Sequence, residues 1–271
     1  MSDPGSALRP EWRNRDGSLV AGEAALAVEK PIALEYNGIS HAVMLATPCD
    51  LEDFALGFSL SEGILERASD LYGVETSSSA AGITLALDIA AGAFARLKER
   101  RRSLVGRTGC GICGTESLDQ VLRPLASLPT PAWQLAPAAL ARASAALSGA
   151  QPLQRLTGAT HGAAWCTPQG AITELREDVG RHNALDKLIG ALVKAGVDRS
   201  QGFALITSRA SVEMVQKAAT AGIAILAAVS GPTTLAVETA GDLGVTLIGF
   251  ARGAHFSVYA HPGRVAAAGP A

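Results

Sequence analysis

Residues 203–250 read FALITSRASVEMVQKAATAGIAILAAVSGPTTLAVETAGDLGVTLIGF and decide the fold of this 271-residue chain. Three apolar runs of strand length alternate here with two segments of helical periodicity. In chain order these runs and segments are 203–206, 212–221, 223–229, 234–243 and 245–250. Strands that alternate with helices of about ten residues are typical of a partly parallel sheet with helices on both faces.

The regular pattern continues on both sides of this stretch. Residues 163–166 and 171–175 predict a β-hairpin, and apolar residues at helical spacing predict a helix over 181–195. A further strand is expected at 257–259. We therefore predict a three-layer α/β/α domain with a mixed sheet over residues 131–271.

A smaller α+β domain is expected ahead of it, over residues 17–130. Two strand-like segments flank Asn37-Gly38, a dipeptide typical of a tight hairpin turn. A helix is expected to begin after Asp50, which suits an N-cap, and to end near Gly63.

Composition restricts the class of protein. Residues 1–16 are polar and are expected to form a disordered leader without a secretory signal. The longest apolar run, 223–229, has the length of a buried strand and not of a membrane span. The formal net charge of −2 does not suggest nucleic-acid binding. We expect a cytoplasmic protein with neither membrane nor nucleic acid as a partner.

Polar segments follow three of the predicted strands, at 207–211, 230–234 and 250–255. Open α/β sheets bind ligands beyond the carboxyl ends of their strands, where helix N-termini favour anions. The alternative is that these hydroxyl groups only cap helices. We predict a crevice for an anionic ligand, in which Phe250 could stack on a base, although a place in the core is the commoner role of a phenylalanine. Its expected contacts are Ser208, Arg209, Thr233, Phe250, Ala251, Arg252, Gly253, Ala254 and His255.

The densest polar cluster occupies residues 176–187. Asp178 suits an N-cap position, and His182 with Asp186 forms an i,i+4 pair on one helix face. One interpretation is a capped amphipathic helix with a solvated charged side. The other assigns Arg181 and His182 to the wall of the ligand site, and His161 is a further open candidate.

Two of the four cysteines form the pair Cys110-x-x-Cys113, inside the glycine-rich segment 106–114. A zinc site would need a second pair, and a thioredoxin-like motif should open a helix directly after a strand. A flexible loop with reactive thiols fits better, and we predict no metal site. The preceding arginines, Arg100 to Arg102 and Arg107, would favour the thiolate, although such runs are also common on solvated faces.

Several motifs together resemble the FdhD family of formate dehydrogenase accessory sulfurtransferases. They are RTGCGICG at 107–114, REDVGRHNALDKLIG at 176–190, SRASVEMVQK at 208–217, GPTTLAVE at 231–238, TLIGFAR at 246–252 and VYAHP at 258–262. The resemblance extends from about Glu29 to Arg264. Gly109 departs from the family pattern, since serine is common before the first cysteine.

The resemblance implies a C-terminal domain similar to the cytidine deaminase fold and a homodimer. It also implies an enzyme that takes sulfur from a cysteine desulfurase as a persulfide on Cys110, with Cys113 as its partner. The acceptor would be the molybdenum bis-guanine-dinucleotide cofactor, before its insertion into the catalytic subunit of formate dehydrogenase. The family's guanine-dinucleotide contact falls on 250–255, where GDP-like or GMP-like nucleotides would also bind.

Two other functions are alternatives to sulfur transfer. A zinc deaminase needs a His-x-Glu and a Pro-Cys-x-x-Cys ligand set. Here Gly162 and Ala163 follow His161, and a glycine precedes Cys110, so that ligand set is absent. A non-catalytic chaperone that binds the cofactor and its client enzyme would use the same crevice and stays open as an alternative.

Overall fold

The computed structural model describes residues 4–102 and 123–267. The strands are β1 (Ser6–Arg15), β2 (Ser18–Ala27), β3 (Lys30–Tyr36), β4 (Ile39–Ala46), β5 (Leu71–Ser79), β6 (Gly82–Ile89), β7 (His161–Cys166), β8 (Ile172–Asp178), β9 (Phe203–Ile206), β10 (Ile225–Ala228), β11 (Thr246–Arg252) and β12 (His255–Ala260). The helices are α1 (Leu51–Ser61), α2 (Ala91–Arg102), α3 (Pro137–Leu147), α4 (Pro152–Thr157), α5 (Arg181–Lys194), α6 (Val212–Thr220) and α7 (Thr234–Asp242).

The C-terminal part is built on a six-stranded mixed sheet with the order β12-β11-β10-β9-β7-β8. Strands β9, β10 and β11 are parallel, whereas β12 and β7 run antiparallel to their neighbours. Side chains alternate across the sheet: Ala204 and Ile206 face the core under α5, α6 and α7, while Phe203 and Leu205 face the core under α3. The predicted three-layer α/β/α domain with a mixed sheet is confirmed.

The N-terminal part contains a four-stranded sheet with the order β4-β3-β6-β5. Asn37 and Gly38 both have positive φ, 46° and 78°, as the predicted hairpin turn requires. Helix α1 connects the β3–β4 hairpin to the other half of this sheet. Asp50 stands at the N-cap, but its backbone is left-handed (φ 52°) and its side chain makes no capping hydrogen bond.

The predicted disordered leader is wrong for the described residues 4–16. Strand β1 pairs with β2 in a ten-residue antiparallel register, from Ser6 opposite Ala27 to Arg15 opposite Ser18. The turn between them is Asp16-Gly17, with φ of 51° and 89°. Aspartate followed by glycine is a strong signal for such a turn. Because the segment is polar, its composition did not indicate a strand.

The two parts pack through α1 and α5, whose backbones lie in close contact. A Cβ added at Gly57 would overlap the backbone of Asp186, and one added at Gly190 would overlap the backbone of Asp53. Both positions therefore have to be glycine for the helices to lie this close. Within residues 4–102 and 123–267, no helix is long and apolar enough to cross a membrane.

Candidate functional site

The residues that the sequence predicts for ligand binding lie at one edge of the six-stranded sheet. Strands β8, β9, β10 and β11 end at this edge, and the antiparallel strands β7 and β12 begin there. The structure therefore places every predicted contact outside the cysteine pair at or beside this edge. These are Arg181, His182, Ser208, Arg209, Thr233, Phe250, Ala251, Arg252, Gly253, Ala254 and His255.

Backbone hydrogen bonds join the loops that follow β9, β10 and β11. The Thr233 N–H donates to the Ala210 carbonyl (3.1 Å), and the Phe250 N–H donates to the Ser230 carbonyl (3.2 Å). Arg252 Nε donates to the Val229 carbonyl (3.2 Å). The three loops therefore form one continuous surface.

Phe250 departs from the regular strand. Its φ of 54° lies in the left-handed region, its side chain is 47% exposed, and its ring lies over Gly231. A Cβ at Gly231 would be 2.7 Å from the ring. A bulky residue held in this conformation costs free energy, and such positions concentrate at ligand sites.

The segment 250–255, interpreted from the sequence as a loop, is mostly a hairpin. Strand β11 continues to Arg252, and Arg252 pairs with His255 across the turn Gly253-Ala254. The strand pairing shifts register between Gly249 and Arg252, where Phe250 takes its left-handed backbone. Ala251 points into the core, so it contributes only backbone to the surface.

The other predicted contacts differ in exposure. Arg209 and Arg252 are exposed and give the edge two cationic groups. Ser208 is buried and donates its hydroxyl to the Arg209 carbonyl (3.0 Å). Thr233 is the N-cap of α7, where its Oγ1 accepts the Ala236 N–H at 3.3 Å. Thr233 is therefore a capping residue at an exposed position.

The prediction that Asp178 caps α5 is wrong, because this carboxylate has another role. Asp178 forms an ion pair with Lys187 (2.7 Å), and neither side chain has measurable exposure. Asp178 also accepts the Thr47 N–H (3.0 Å), and Lys187 donates to the Thr47 carbonyl (2.9 Å). Gly180 stands at the N-cap instead. The centre of the polar cluster at 176–187 joins the two parts of the chain.

A second buried ionic cluster lies nearby, between α1, α5 and α6. Lys217 Nζ is 2.9 Å from Asp186 and 2.6 Å from Glu62, and the Ser61 hydroxyl donates to Asp186 at 2.5 Å. Burial alone would raise the pKa of Glu62, but the Lys217 and Arg123 cations overcome burial and lower it to about 2. Asp186 is paired within this cluster, and among the described residues no hydrogen bond joins it to His182.

Arg181 and His182 keep unsatisfied polar atoms. Arg181 Nε and His182 Nε2 are buried and have no hydrogen-bond partner in the described parts of the chain. Burial, together with the Arg181 and Lys217 cations, lowers the pKa of His182 to about 4. The imidazole of His182 is therefore neutral at pH 7.

His161 begins β7 at the same edge and is half-buried. It lines a cleft of about 420 Å³ together with residues that the sequence did not single out. These are Gln151, Gln154, Gly158, Ala159, Thr160 and Thr207. Of these, only Thr207 lies in a segment that the sequence predicts for the site, residues 207–211.

Cys110 and Cys113 lie outside the described residues. Arg123, which follows that segment, donates its N–H to Gln216 Oε1 (2.9 Å) and its Nη1 to the Ser61 carbonyl (2.5 Å). The chain therefore re-enters the described structure beside the Lys217 cluster. Among the described residues, no group of histidine, cysteine or acidic side chains could hold a metal ion.

Comparison with known proteins identifies the family of this chain. The sequence profile of the FdhD/NarQ family matches residues 27–266. The chain belongs to the FdhD/NarQ family. Two family relatives carry the name sulfur carrier protein FdhD. The relative from Variovorax paradoxus is 59% identical over 241 residues, which cover 89% of this chain and 86% of the relative. The relative from Cupriavidus necator is 57% identical over 257 residues, which cover 94% and 87%.

A solved structure supports the fold of this FdhD/NarQ member. The crystal structure of a protein assigned as a formate dehydrogenase accessory protein from Desulfotalea psychrophila superposes with a TM-score of 0.73. The superposition covers 97% of this chain and all of the other, at 24% sequence identity. The resemblance found in the sequence motifs is confirmed at the level of the family.

Proposed function

We propose that this protein is a sulfur carrier in the maturation of formate dehydrogenase. Cys110 would receive sulfur from a cysteine desulfurase and pass it to the molybdenum bis-guanine-dinucleotide cofactor, which is substrate here. The observation that carries the proposal is the single sheet edge at which three loops meet and which presents a half-exposed aromatic ring and two exposed guanidinium groups. The names of the relatives from Variovorax and Cupriavidus support the same role.

The sulfur transfer is a thiol–persulfide exchange. The Cys110 thiolate attacks the terminal sulfur of the donor's persulfide, the donor's S–S bond breaks, and the donor cysteine leaves as a thiolate. The terminal sulfur is then carried on Cys110. Attack of the Cys113 thiolate on Cys110 Sγ would release that sulfur as sulfide to the acceptor and leave a Cys110–Cys113 disulfide, so the thiol pair supplies the two electrons.

The sheet edge supports a guanine nucleotide as the ligand. The ring of Phe250 is half-exposed and offers a flat face to a base, and stacking of this kind contributes about 1–3 kcal/mol per base. Arg209 and Arg252 supply positive charge for phosphate groups. GDP-like and GMP-like nucleotides would occupy the same place as the cofactor's guanine dinucleotide.

The hydrogen bonds that hold Arg123 support delivery of sulfur from the cysteine pair to the sheet edge. Cys113 lies ten residues before Arg123, and ten extended residues span at most roughly 35 Å. Six strands at a spacing of about 4.8 Å are roughly 24 Å wide. A thiol on that segment is therefore within chain reach of the sheet edge.

The β1–β2 hairpin supports a homodimer as part of the proposal. Two-stranded sheets are marginal without a partner, yet this hairpin exposes five large apolar side chains. They are Leu8, Trp12, Leu19, Val20 and Leu26, of which Trp12 is 69% exposed. Apolar surface of this kind is usually covered by another protein surface. Replacement of Trp12 by serine should shift the protein toward monomer in light scattering, while the exposed Tyr72→Ser control should not.

The proposed partners are a cysteine desulfurase as donor and the catalytic subunit of formate dehydrogenase as client. A reactive thiol pair has to stay reduced until sulfur is loaded, which places the reaction in the reducing cytoplasm. Neither a membrane nor nucleic acid enters this scheme.

The test of the sulfur carrier is an intact-mass measurement. Purified protein incubated with a cysteine desulfurase and cysteine should gain one sulfur, roughly 32 Da, because a thiolate attacks persulfide sulfur. The gain should be lost in Cys110→Ala and kept in Cys166→Ala. Cys166 is a suitable control because burial raises the pKa of its thiol to about 12.

A different outcome would favour the chaperone. If the wild-type protein binds guanine nucleotide but gains no sulfur, or if Cys110→Ala gains it equally, the carrier role of Cys110 is wrong. If the wild-type protein gains no sulfur, the sheet edge would serve only to hold the cofactor for its client, whereas an equal gain in Cys110→Ala would assign the carrier role to another cysteine.

A further inference from the structure

The hydroxyl of Ser144, on α3, makes two hydrogen bonds to the backbone of the β11–β12 hairpin. It donates to the Ala251 carbonyl (2.9 Å) and accepts the Gly253 N–H (3.1 Å). We propose that Ser144 is a positioning residue, which holds Arg252 in the direction that contacts the phosphate groups of the bound guanine nucleotide. This role rests on the proposed function, since it requires the nucleotide to bind at residues 250–255.

The two hydrogen bonds lie on either side of Arg252. The Ala251 carbonyl belongs to the peptide group before Arg252, and the Gly253 N–H belongs to the peptide group after it. A hydroxyl group has one proton to donate and lone pairs that accept, so both bonds can exist at the same time. One side chain therefore fixes both of the peptide planes that determine where the side chain of Arg252 projects.

The hairpin needs this support because its own strand pairing is interrupted here. The register between β11 and β12 shifts between Gly249 and Arg252, and the pair of Arg252 with His255 adjoins the turn. Phe250 and Gly253 have left-handed backbones, with φ of 54° and 57°. This conformation is costly for a phenylalanine, so contacts from outside the two strands have to maintain it.

Ser144 reaches the hairpin from its buried side. Ala251 has no exposed surface and belongs to the same apolar core as Leu140 and Ala143 of α3. Arg252, the next residue of the strand, is exposed. Successive side chains of a strand point to opposite faces, so the hydroxyl lies on the face away from the guanidinium. Ser144 therefore acts on the ligand through Arg252 and not by contact.

A second contact holds the other end of the Arg252 side chain. Arg252 Nε donates to the Val229 carbonyl (3.2 Å), which uses one of the five guanidinium donors and leaves four for phosphate oxygens. Ser144 fixes the backbone of Arg252, and Val229 fixes its guanidinium group. A cation that is held in place before the ligand arrives loses less conformational entropy on binding, which increases affinity.

The experiment is calorimetric titration of the full-length protein with GDP and with guanosine. Ser144→Ala should weaken GDP binding about three- to tenfold, because Arg252 is no longer held toward the phosphate groups. Guanosine has no phosphate, so its affinity should stay within about twofold of wild type. A role of Ser144 in folding alone would weaken both ligands alike, so the ratio of the two affinities distinguishes positioning from folding.

A double-mutant cycle assigns the effect to Arg252. Arg252→Ala should itself weaken GDP binding, and the addition of Ser144→Ala should then change the affinity by no more than about twofold, because coupled residues are not additive. Hydrogen exchange gives an independent measurement of the same contact. The Gly253 amide should exchange severalfold faster in Ser144→Ala, since it loses its acceptor.

Two further variants on α3 serve as controls. Ser144→Thr keeps the hydroxyl group and should bind GDP within about twofold of wild type. Ser148→Ala changes an exposed serine at the C-cap of the same helix and should leave the affinity for both ligands unaltered. Alanine is a better helix former than serine, which offsets the lost hydrogen bonds, so urea unfolding of Ser144→Ala should stay close to wild type.

The outcomes separate this role of Ser144 from the proposed function. Ser144→Ala that binds GDP as tightly as wild type, loses guanosine affinity equally, or keeps its full effect in the Arg252→Ala background would overturn the role of Ser144 alone. Wild-type protein that binds no GDP would overturn the nucleotide site and this role with it. A selective effect of Ser144→Ala on GDP in a protein that gains no sulfur would support the positioning role and count against the sulfur carrier alone.

Discussion

Lys187 Nζ lies 2.7 Å from Asp178 Oδ2, and both side chains are fully buried at the junction of the two parts of the chain. The ammonium also donates to the Thr47 carbonyl, and the carboxylate accepts the Thr47 N–H. One residue of the N-terminal part therefore satisfies both members of an ion pair on the C-terminal part. The pair is complete only when the two parts are in contact.

Removal of Lys187 should strongly destabilise the protein. Lys187→Met would leave Asp178 charged and buried without a cation, and breaking a buried pair in this way costs about 3–5 kcal/mol. The matched control is Lys194→Met on the same helix, because Lys194 is half-exposed, Glu52 is exposed, and the buried Asp53 keeps Arg176 as a second cation. That change should cost about 0–1 kcal/mol. Equal effects of the two variants on urea unfolding would contradict this account.

The contact between α1 and α5 should be sensitive to a single methyl group. Gly190→Ala would force the helices apart, because its Cβ would overlap the backbone of Asp53. Overpacking of this kind costs about 1–3 kcal/mol. Gly241→Ala, in α7, has no atom within 4 Å of the new Cβ and should stabilise by about 0.5–1 kcal/mol. Thermal unfolding would show shifts of opposite sign, and two shifts of the same sign would refute the proposed cause.

Stability should fall in mild acid because of His182. The folded protein lowers the pKa of this imidazole from 6.5 to about 4, so the unfolded chain binds more protons between these values. Stability from this group is complete above pH 6.5 and is lost as the pH falls toward 4, by up to about 3 kcal/mol. His182→Gln should flatten this part of the profile in urea unfolding at several pH values, while the exposed His255→Gln should leave it unchanged. A profile that His182→Gln does not alter would assign the acid sensitivity elsewhere.

The ring of Phe250 should matter for guanine nucleotide binding and little for folding. Phe250→Ala should weaken GDP binding about tenfold, because the half-exposed ring is proposed to stack on the base. Tyr259→Ala removes another partly exposed aromatic ring from the adjacent strand β12 and serves as the control. Calorimetric titration with GDP measures the affinity of both variants. Equal affinity of Phe250→Ala and wild type would place the base somewhere else.

The alternation of strands and helices in residues 203–250 was sufficient to predict the C-terminal sheet. Each run has local periodicity, and the parallel arrangement of neighbouring strands then follows from general rules of chain connection. The same rules placed Ser208, Thr233 and Phe250 at one edge. The Asn37-Gly38 turn was predicted for a similarly local reason, since both residues tolerate positive φ.

The roles of Asp178 and Gln151 could not be predicted in this way. Asp178 has the spacing of an N-cap, but its partners are Thr47 and Lys187. Thr47 lies 131 residues away in the chain, so only tertiary packing brings it to Asp178. The Gln151 amide lies in the space left by Gly162 on a different element, and its buried Nε2 has no partner among the described residues. Such contacts arise from tertiary structure, and no local pattern encodes them.

The sharing of Thr47 by Asp178 and Lys187 has a consequence for dissecting the molecule. A C-terminal fragment produced alone would keep this cation and carboxylate but lose their hydrogen bonds to Thr47, and it would uncover the backbone of α5 at Gly190. Neither half should therefore be a stable folding unit by itself. If the chain is divided within residues 103–122 and the two polypeptides are synthesised together, they should instead assemble by complementation. The N-terminal piece would supply Thr47 and the C-terminal piece the ion pair.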